Sequence, residues 1–208
     1  MKVYFVRHGE SEGNRKLLRQ GSGEPLSSDG RMQALALARR AEALTIDRIY
    51  SSDFVRAHET AKEIEERIGK RIILSPLLRE VKQPSELIGL HIHSEESIRA
   101  HEAKHANEHD PNWHLSDEEN FFDAAARAKD ALKLFINEGH EHVLAVTHSL
   151  FMYHLAATIL FPLGLAPKEF RQFSHSMQIS NTGITLCEYK PEADKWKLVS
   201  WNDSAHLT

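Results

Sequence analysis

The 208-residue sequence has little of several features that would point to particular classes of protein. Cys187 is its only cysteine, so the chain can form no internal disulfide and no cysteine-based zinc site. No apolar run approaches the ~20 residues that a membrane-spanning helix needs. The apolar stretch ending at Val6 is too short for a secretory signal, and we therefore expect a cytoplasmic protein.

An excess of one sign of charge is also lacking. The chain has 26 Lys+Arg and 30 Asp+Glu, a formal net charge of −4 with histidine neutral. This mildly acidic balance predicts no nucleic-acid partner, and the lack of long apolar runs predicts no membrane partner. Histidine, by contrast, is abundant, with 14 residues. Imidazoles serve in metal sites and in catalysis, or simply lie on the solvated surface.

Predicted strands alternate with predicted helices along most of the chain. Apolar patterning predicts strands at 2–6, 47–51, 71–74 and 142–147, helices at 28–44, 53–68, 120–136 and 149–161, and a C-terminal β-hairpin at 183–189 and 195–201. We predict a single α/β domain over residues 1–208, a three-layer αβα sandwich with a mostly parallel central sheet. Ligands of such folds bind at the carboxyl ends of the strands.

Residues 83–119 interrupt this alternation. The segment contains Pro84 and Pro111, and between Glu95 and Glu119 it has eight acids and two bases, a net charge of −6. We interpret it as an inserted lid; the alternative is a long surface excursion without a role. His101, His105 and His109 are spaced to share one face of a helix, which leaves a metal-binding or regulatory protein as one hypothesis. A solvated acidic helix explains the same pattern.

The strongest chemical motif follows the first predicted strand and reads Arg7-His8-Gly9-Glu10-Ser11, with Asn14 close behind. A guanidinium offers a planar fork for phosphate oxygens. A neutral imidazole is available as a nucleophile near neutral pH because its reference pKa is about 6.5. The glycine permits a tight turn beside the histidine. The motif suits phosphoryl chemistry, although the tripeptide Arg7-His8-Gly9 alone is a weak signal.

Three more polar blocks follow predicted strands. They are Ser51-Ser52-Asp53 with Arg56, then Leu78-Arg79-Glu80, and then Thr147-His148-Ser149. Arg56 is predicted on the first turn of a helix, where backbone amides also favour an anion. Because the carboxyl ends of parallel strands meet at one edge, we expect two histidines, two arginines and one glutamate to converge there.

Taken in order, these blocks resemble the histidine phosphatase superfamily, also called phosphoglycerate-mutase-like. The resemblance also draws on Pro25-Leu26-Ser27-Ser28-Asp29-Gly30, Gln33-Ala34, Thr60-Ala61 and Asn181-Thr182, and it covers nearly the whole chain except the lid. It implies a metal-independent enzyme without a cofactor, acting on a small phosphorylated substrate through a phosphohistidine.

The resemblance also implies a role for each site residue. His8 is the expected nucleophile and Glu80 the expected proton donor to the leaving alkoxide. A charged pocket around the phosphoryl group is expected from Arg7, Arg56 and a protonated His148. Asn14 is expected at the pocket rim. Ser149 is expected to cap the following helix, with a contact to phosphate as the alternative.

Departures from the family pattern favour a phosphatase over a cofactor-dependent phosphoglycerate mutase. Gly13 precedes Asn14 where such mutases usually have tryptophan, and the sequence shows no obvious second basic cluster for a bisphosphate. The usual Gly-x-x-Glu-Gly stretch after Glu80 is missing, which makes Glu86 an alternative proton donor. The natural substrate is not evident, and the sequence leaves a homodimer open.

Overall fold

The computed structural model describes residues 1–207. Within that range one sheet of six strands has the order β3-β2-β4-β1-β5-β6. The strands are β1 (Lys2–Arg7), β2 (Arg48–Ser51), β3 (Ile72–Leu74), β4 (His142–Thr147), β5 (Ile184–Lys190) and β6 (Lys195–Asp203). The first four pair in parallel, whereas β5 and β6 are antiparallel and form the C-terminal hairpin. The predicted mostly parallel sheet is confirmed.

Helices cover both faces of the sheet. Their bounds are α1 (Glu12–Arg15), α2 (Ser28–Ala41), α3 (Val55–Ile68), α4 (Glu95–Ala106), α5 (Phe121–Glu138), α6 (Ser149–Leu160) and α7 (Pro167–His175). Alternate residues of β4 enter different cores: Val143 packs with α5 and α6, and Leu144 packs with α2 and α3. The αβα sandwich predicted from the alternating pattern is confirmed.

Local signals explain where the long helices begin and end. The Ser27 hydroxyl accepts from the Gly30 amide at the start of α2, and Asn120 forms a capping box with Asp123 at the start of α5. Gly69 ends α3 with a φ of 68°, a left-handed conformation that glycine adopts without a Cβ clash. The predicted bounds are correct to within a few residues, although α2 ends at Ala41 rather than at residue 44.

Helix α7 is absent from the predicted elements. Its signal is nevertheless present in the sequence, because Pro167 occupies the first turn and the Glu169 carboxylate accepts from the Ala166 amide. The predicted lid, residues 83–119, contains a 3₁₀ turn at Ser85–Leu87 and helix α4. We call residues 83–119 the lid segment. A search of residues 1–207 finds no helix with the length and apolarity to cross a bilayer.

Candidate active site

The site lies where strands β1, β2 and β4 end. Arg7 on β1 is in register with Thr147 on β4, so the next residues, His8 and His148, lie side by side with ring centroids 5.0 Å apart. Ser52 follows the neighbouring end of β2, and its hydroxyl lies 2.9 Å from His148 Nε2. The predicted meeting of polar blocks at one sheet edge is confirmed for these residues.

The surroundings of His8 define its tautomer. His8 Nδ1 lies 2.6 Å from the Gly9 carbonyl oxygen, and Arg56 Nε donates to His8 Nε2 at 3.2 Å. A carbonyl oxygen only accepts, so Nδ1 carries the proton and Nε2 presents a lone pair. Burial lowers the pKa of His8 well below its usual value, and the neighbouring Arg56 and Arg7 lower it further. The imidazole is therefore neutral and its Nε2 is nucleophilic.

Close backbone contact holds the His8 loop against α2. A Cβ at Gly30 would lie 1.9 Å from the Glu10 carbonyl oxygen, and one at Gly9 would lie 2.6 Å from the Gly30 oxygen. The Gly9 amide donates to Thr60 Oγ1 at 3.0 Å, and Asn181 Nδ2 donates to the His8 carbonyl at 2.9 Å. The loop is thus fixed from three sides.

The guanidiniums of the half-buried Arg7 and the buried Arg56 border the imidazole pair. Arg7 Nη1 donates to the Ile179 carbonyl at 2.7 Å, and Arg56 Nη1 donates to the Gly21 carbonyl at 2.7 Å. Burial lowers the pKa of Arg56 to about 10, while the carboxylate of Glu80 acts in the opposite direction. Both arginines remain charged at neutral pH, so the site concentrates positive charge in a buried place.

The charge of His148 depends on its burial. The side chain is fully buried, and its pKa is lowered well below the usual value by desolvation and then by Arg56 and His8. His148 is therefore neutral in the free site, and its protonated form beside a bound phosphoryl group stays a prediction. His148 Nδ1 has no hydrogen-bond partner among residues 1–207. The buried ring therefore has one nitrogen available to a ligand.

Glu80 accepts three backbone hydrogen bonds. Its carboxylate receives the amides of Val81 at 2.9 Å, Leu150 at 3.2 Å and Phe151 at 2.9 Å. The last two belong to the first turn of α6, so Glu80 satisfies helix amides that lack internal partners. The predicted capping role of Ser149 is wrong: the N-cap residue of α6 is His148, and its side chain makes no capping bond.

Arg127 holds the Glu80 loop, although it is not among the site residues predicted from the sequence. Its guanidinium donates to Glu119 with two contacts of 2.7 Å and to the carbonyls of Leu77 at 3.0 Å and Arg79 at 2.8 Å. It also lies 4.0 Å from the centroid of the Phe151 ring. An arginine inside an amphipathic helix gives no local signal of such a role, because its partners are distant in sequence.

Two predicted residues, Asn14 and Glu86, make hydrogen bonds to residues outside the histidine pair and its arginines. Asn14 forms a capping box with Ser11, in which its Oδ1 accepts from the Ser11 amide at 3.2 Å. Glu86 lies in the lid segment, where it accepts from the Ser116 hydroxyl at 2.9 Å. Glu80, in contrast, accepts the amides of Leu150 and Phe151, which closely follow His148, so it lies nearer to the histidine pair along the chain that builds the site.

The spacing of the lid histidines left a metal site as one hypothesis. In residues 1–207, no three histidine, cysteine, aspartate or glutamate side chains are grouped so that they could hold a metal ion. The metal-binding hypothesis therefore has no cluster of ligands to rest on in that part of the chain.

Comparison with known proteins identifies the family. Residues 3–204 match the family model of the histidine phosphatase superfamily (branch 1), and the chain belongs to that family. A probable phosphoglycerate mutase GpmB of Enterobacter sp. (strain 638) is 31% identical and is aligned over 100% of this chain and 95% of its own length. The GpmB of Photorhabdus laumondii is also 31% identical, with the same coverage.

Solved structures share the fold. A mycobacterial glucosyl-3-phosphoglycerate phosphatase in complex with VO3 is similar with a TM-score of 0.81 at 27% identity, over 98% of this chain and 99% of that one. The structure called mycobacterial hydrolase 1 has a TM-score of 0.82 at 26% identity, over 98% of both chains. The protein is thus an enzyme of this superfamily, either a phosphatase or a mutase.

Proposed function

We propose that the protein is a metal-independent phosphomonoester hydrolase that acts through a phosphohistidine at His8 Nε2. The observation that carries the proposal is the tautomer of His8, whose Nδ1 is held by the Gly9 carbonyl while Nε2 keeps its lone pair beside Arg56. Attack of Nε2 on phosphorus forms the N–P bond as the P–O bond to the alcohol breaks. Water then cleaves the N–P bond and releases inorganic phosphate.

Positive charge stabilises both transition states in this proposal. Arg7 and Arg56 supply two fixed guanidiniums, and the transferring group spreads its charge over three oxygens. Arg56 Nε must leave His8 Nε2 and turn to a phosphoryl oxygen when the substrate enters. A bound phosphate dianion also favours the protonated form of His148, which then donates from Nδ1.

Glu80 is the proposed proton donor. Its protonated form delivers a proton to the leaving alkoxide in the first step, and the carboxylate accepts a proton from the attacking water in the second. The backbone amides of Val81, Leu150 and Phe151 hold this group in one place. A positioned acid of this kind typically contributes ~100- to 10,000-fold in rate.

The alternative is a phosphoglycerate mutase, which is the activity in the names of relatives that are 31% identical. Such an enzyme returns the phosphoryl group to a second hydroxyl instead of to water. Hydrolysis is favoured by the names of similar solved structures, among them a phosphatase at 27% identity. Hydrolysis is favoured as well by the cavity beside the site, whose wall has equal numbers of acidic and basic residues.

Rapid quenching at alkaline pH tests the proposal. A ³²P-labelled alkyl phosphate should leave acid-labile, alkali-stable label on the wild type and none on His8→Ala, and the labelled peptide should contain His8. Label that persists in His8→Ala would overturn the mechanism. Incubation with 3-phosphoglycerate and 2,3-bisphosphoglycerate separates the activities: formation of 2-phosphoglycerate faster than release of phosphate supports a mutase, and no formation of 2-phosphoglycerate supports a phosphatase.

A further inference from the structure

A cavity of about 300 Å³ lies between the lid segment, the loop after Glu80, and helices α6 and α7. Its apolar wall includes Leu87, Trp113, Leu115, Phe121, Leu150 and Phe170. His154 also lines it, stacked on the Phe170 ring at 4.2 Å between centroids. Burial lowers the pKa of His154 to about 3, so this imidazole is neutral and behaves as part of an aromatic wall.

The cavity adjoins the proposed proton donor. Val81 and Leu150 line the cavity, and the amides of the same two residues donate to the Glu80 carboxylate. The alcohol of a phosphomonoester must place its bridging oxygen at the group that protonates it. The alcohol portion of the bound substrate therefore extends from the phosphoryl site toward the cavity wall.

The charges of the cavity wall balance. The wall has four bases, Arg19, Lys82, Lys104 and Arg171, and four acids, Glu108, Asp110, Glu118 and Glu119. Three of the bases are in ion pairs: Lys82 with Asp117, Lys104 with Glu118, and Arg171 with Glu108. Because these three bases are already paired with carboxylates, a second phosphate would have to displace the carboxylates in order to bind them.

Arg19 is the exception among the bases. It donates to uncharged acceptors, Gln83 Oε1 at 3.1 Å and the Ser97 carbonyl at 3.5 Å. Its Nε is buried and has no hydrogen-bond partner in residues 1–207. A buried donor of this kind is satisfied when a ligand brings an acceptor within reach.

We infer that the cavity receives the alcohol portion of the substrate, and that this alcohol has an apolar or aromatic body with a hydrogen-bond acceptor for Arg19 and no second phosphate. The inference rests on the proposed function, since Glu80 locates the leaving group. It specifies the substrate class: phosphomonoesters of bulky uncharged alcohols rather than compact anions such as phosphoglycerates.

The first test compares two alkyl phosphates whose leaving groups differ in bulk and little in basicity. We expect kcat/KM for 2-phenylethyl phosphate to exceed that for ethyl phosphate by about 10- to 100-fold, the range that burial of one apolar group gives. Equal values for the two esters in the wild type would overturn the inference.

A matched pair of variants on α4 locates the effect. Ala100 lines the cavity, whereas Ala106 is exposed on the same helix and does not. Ala100→Phe should abolish the preference for the phenylethyl ester, while Ala106→Phe should keep both that preference and the turnover of ethyl phosphate. Retention of the preference in Ala100→Phe contradicts the inference. Circular dichroism shows whether Ala100→Phe folds, and if it does not, the wild-type ratio decides.

The role of Arg19 has its own test. An acetyl group on the phenyl ring supplies an acceptor, so the wild type should prefer 2-(4-acetylphenyl)ethyl phosphate, and Arg19→Met should lose that additional preference by about 5- to 10-fold. An unchanged ratio in Arg19→Met contradicts the role. Phosphohistidine trapping with ethyl phosphate separates the two proposals: label on His8 without any preference for bulk refutes only the cavity inference, and no label refutes the mechanism.

Discussion

The sheet-edge site and the lid segment are built in different ways. At the sheet edge, backbone atoms hold the charged groups: Arg56 is 2% exposed and donates to a carbonyl, and the half-buried Glu80 accepts from three amides. In the lid segment, charges pair with one another near the surface, as Arg99 does with Glu95, whose side chains are 70% and 74% exposed.

This difference separates chemistry from selection of the substrate. Backbone partners cannot be changed by substitution, so the sheet edge keeps one geometry for the reacting groups. Side chains of the lid segment can be exchanged without disturbing the sheet, so they can adapt to the alcohol. Substitutions in the two regions should therefore affect different measured quantities.

The largest effect is expected for Glu80→Gln. The amide keeps an acceptor for the helix α6 amides and loses the proton, so kcat for an alkyl phosphate should fall by about 100- to 10,000-fold. The decrease for p-nitrophenyl phosphate should be much smaller, since that leaving group needs no proton. Steady-state kinetics on both esters measure this, and equal losses would argue against an acid role.

The next effect compares one substitution at the sheet edge and on helix α7, where Arg171 pairs with Glu108 of the lid segment. Arg56→Lys keeps the charge but loses the Nε contact to His8 and the planar fork, and kcat should fall by about 100- to 1,000-fold. Arg171→Lys at the edge of the lid cavity should change kcat less than about twofold, because it touches no reacting group. Similar losses in both variants would remove the distinction between the regions.

A smaller effect, on stability, is expected for Gly30→Ala. Its Cβ would meet backbone of the His8 loop, which cannot move aside, and we expect a loss of about 3 kcal/mol in unfolding free energy. Gly23→Ala is the control, because nothing lies within 4 Å of a Cβ there. That variant should be neutral or gain up to about 1 kcal/mol. Urea unfolding measures both, and a neutral Gly30→Ala would show that the loop can yield.

The smallest effect is a pH dependence from His154. In the folded state its pKa is lowered from the usual 6.5 to about 3 by burial. The unfolded chain therefore binds a proton first, and stability present above pH 6.5 is lost as the pH falls toward 3. At pH 5 this residue should cost roughly 2 kcal/mol relative to pH 7.

Substitution of His154 by leucine provides the check. His154→Leu should reduce the change in unfolding free energy between pH 7 and pH 5. The buried His8 and His148 should still contribute to that change. Chemical denaturation at several pH values gives the slope. An unchanged slope in His154→Leu would show that the imidazole beside the lid cavity is not held neutral.

Much of the site was predictable because its determinants are local. A strand that ends in Arg7-His8-Gly9 and another that ends in Thr147-His148 must present these histidines at one edge once the strands are parallel neighbours. The helix bounds followed from caps such as Ser27, Asn120 and Gly69. The family itself was evident from the order of such motifs, and its model matches residues 3–204.

Tertiary structure alone decided the features that depend on partners far apart in sequence. Glu80 rather than Ser149 caps α6 because the loop after β3 and the start of α6 meet at the sheet edge, 70 residues apart. The neutral state of His148 follows from burial beside Arg56, which no local pattern encodes. The sequence determined which groups reach the sheet edge, whereas packing decided their charge, their hydrogen bonds and the cavity that adjoins them.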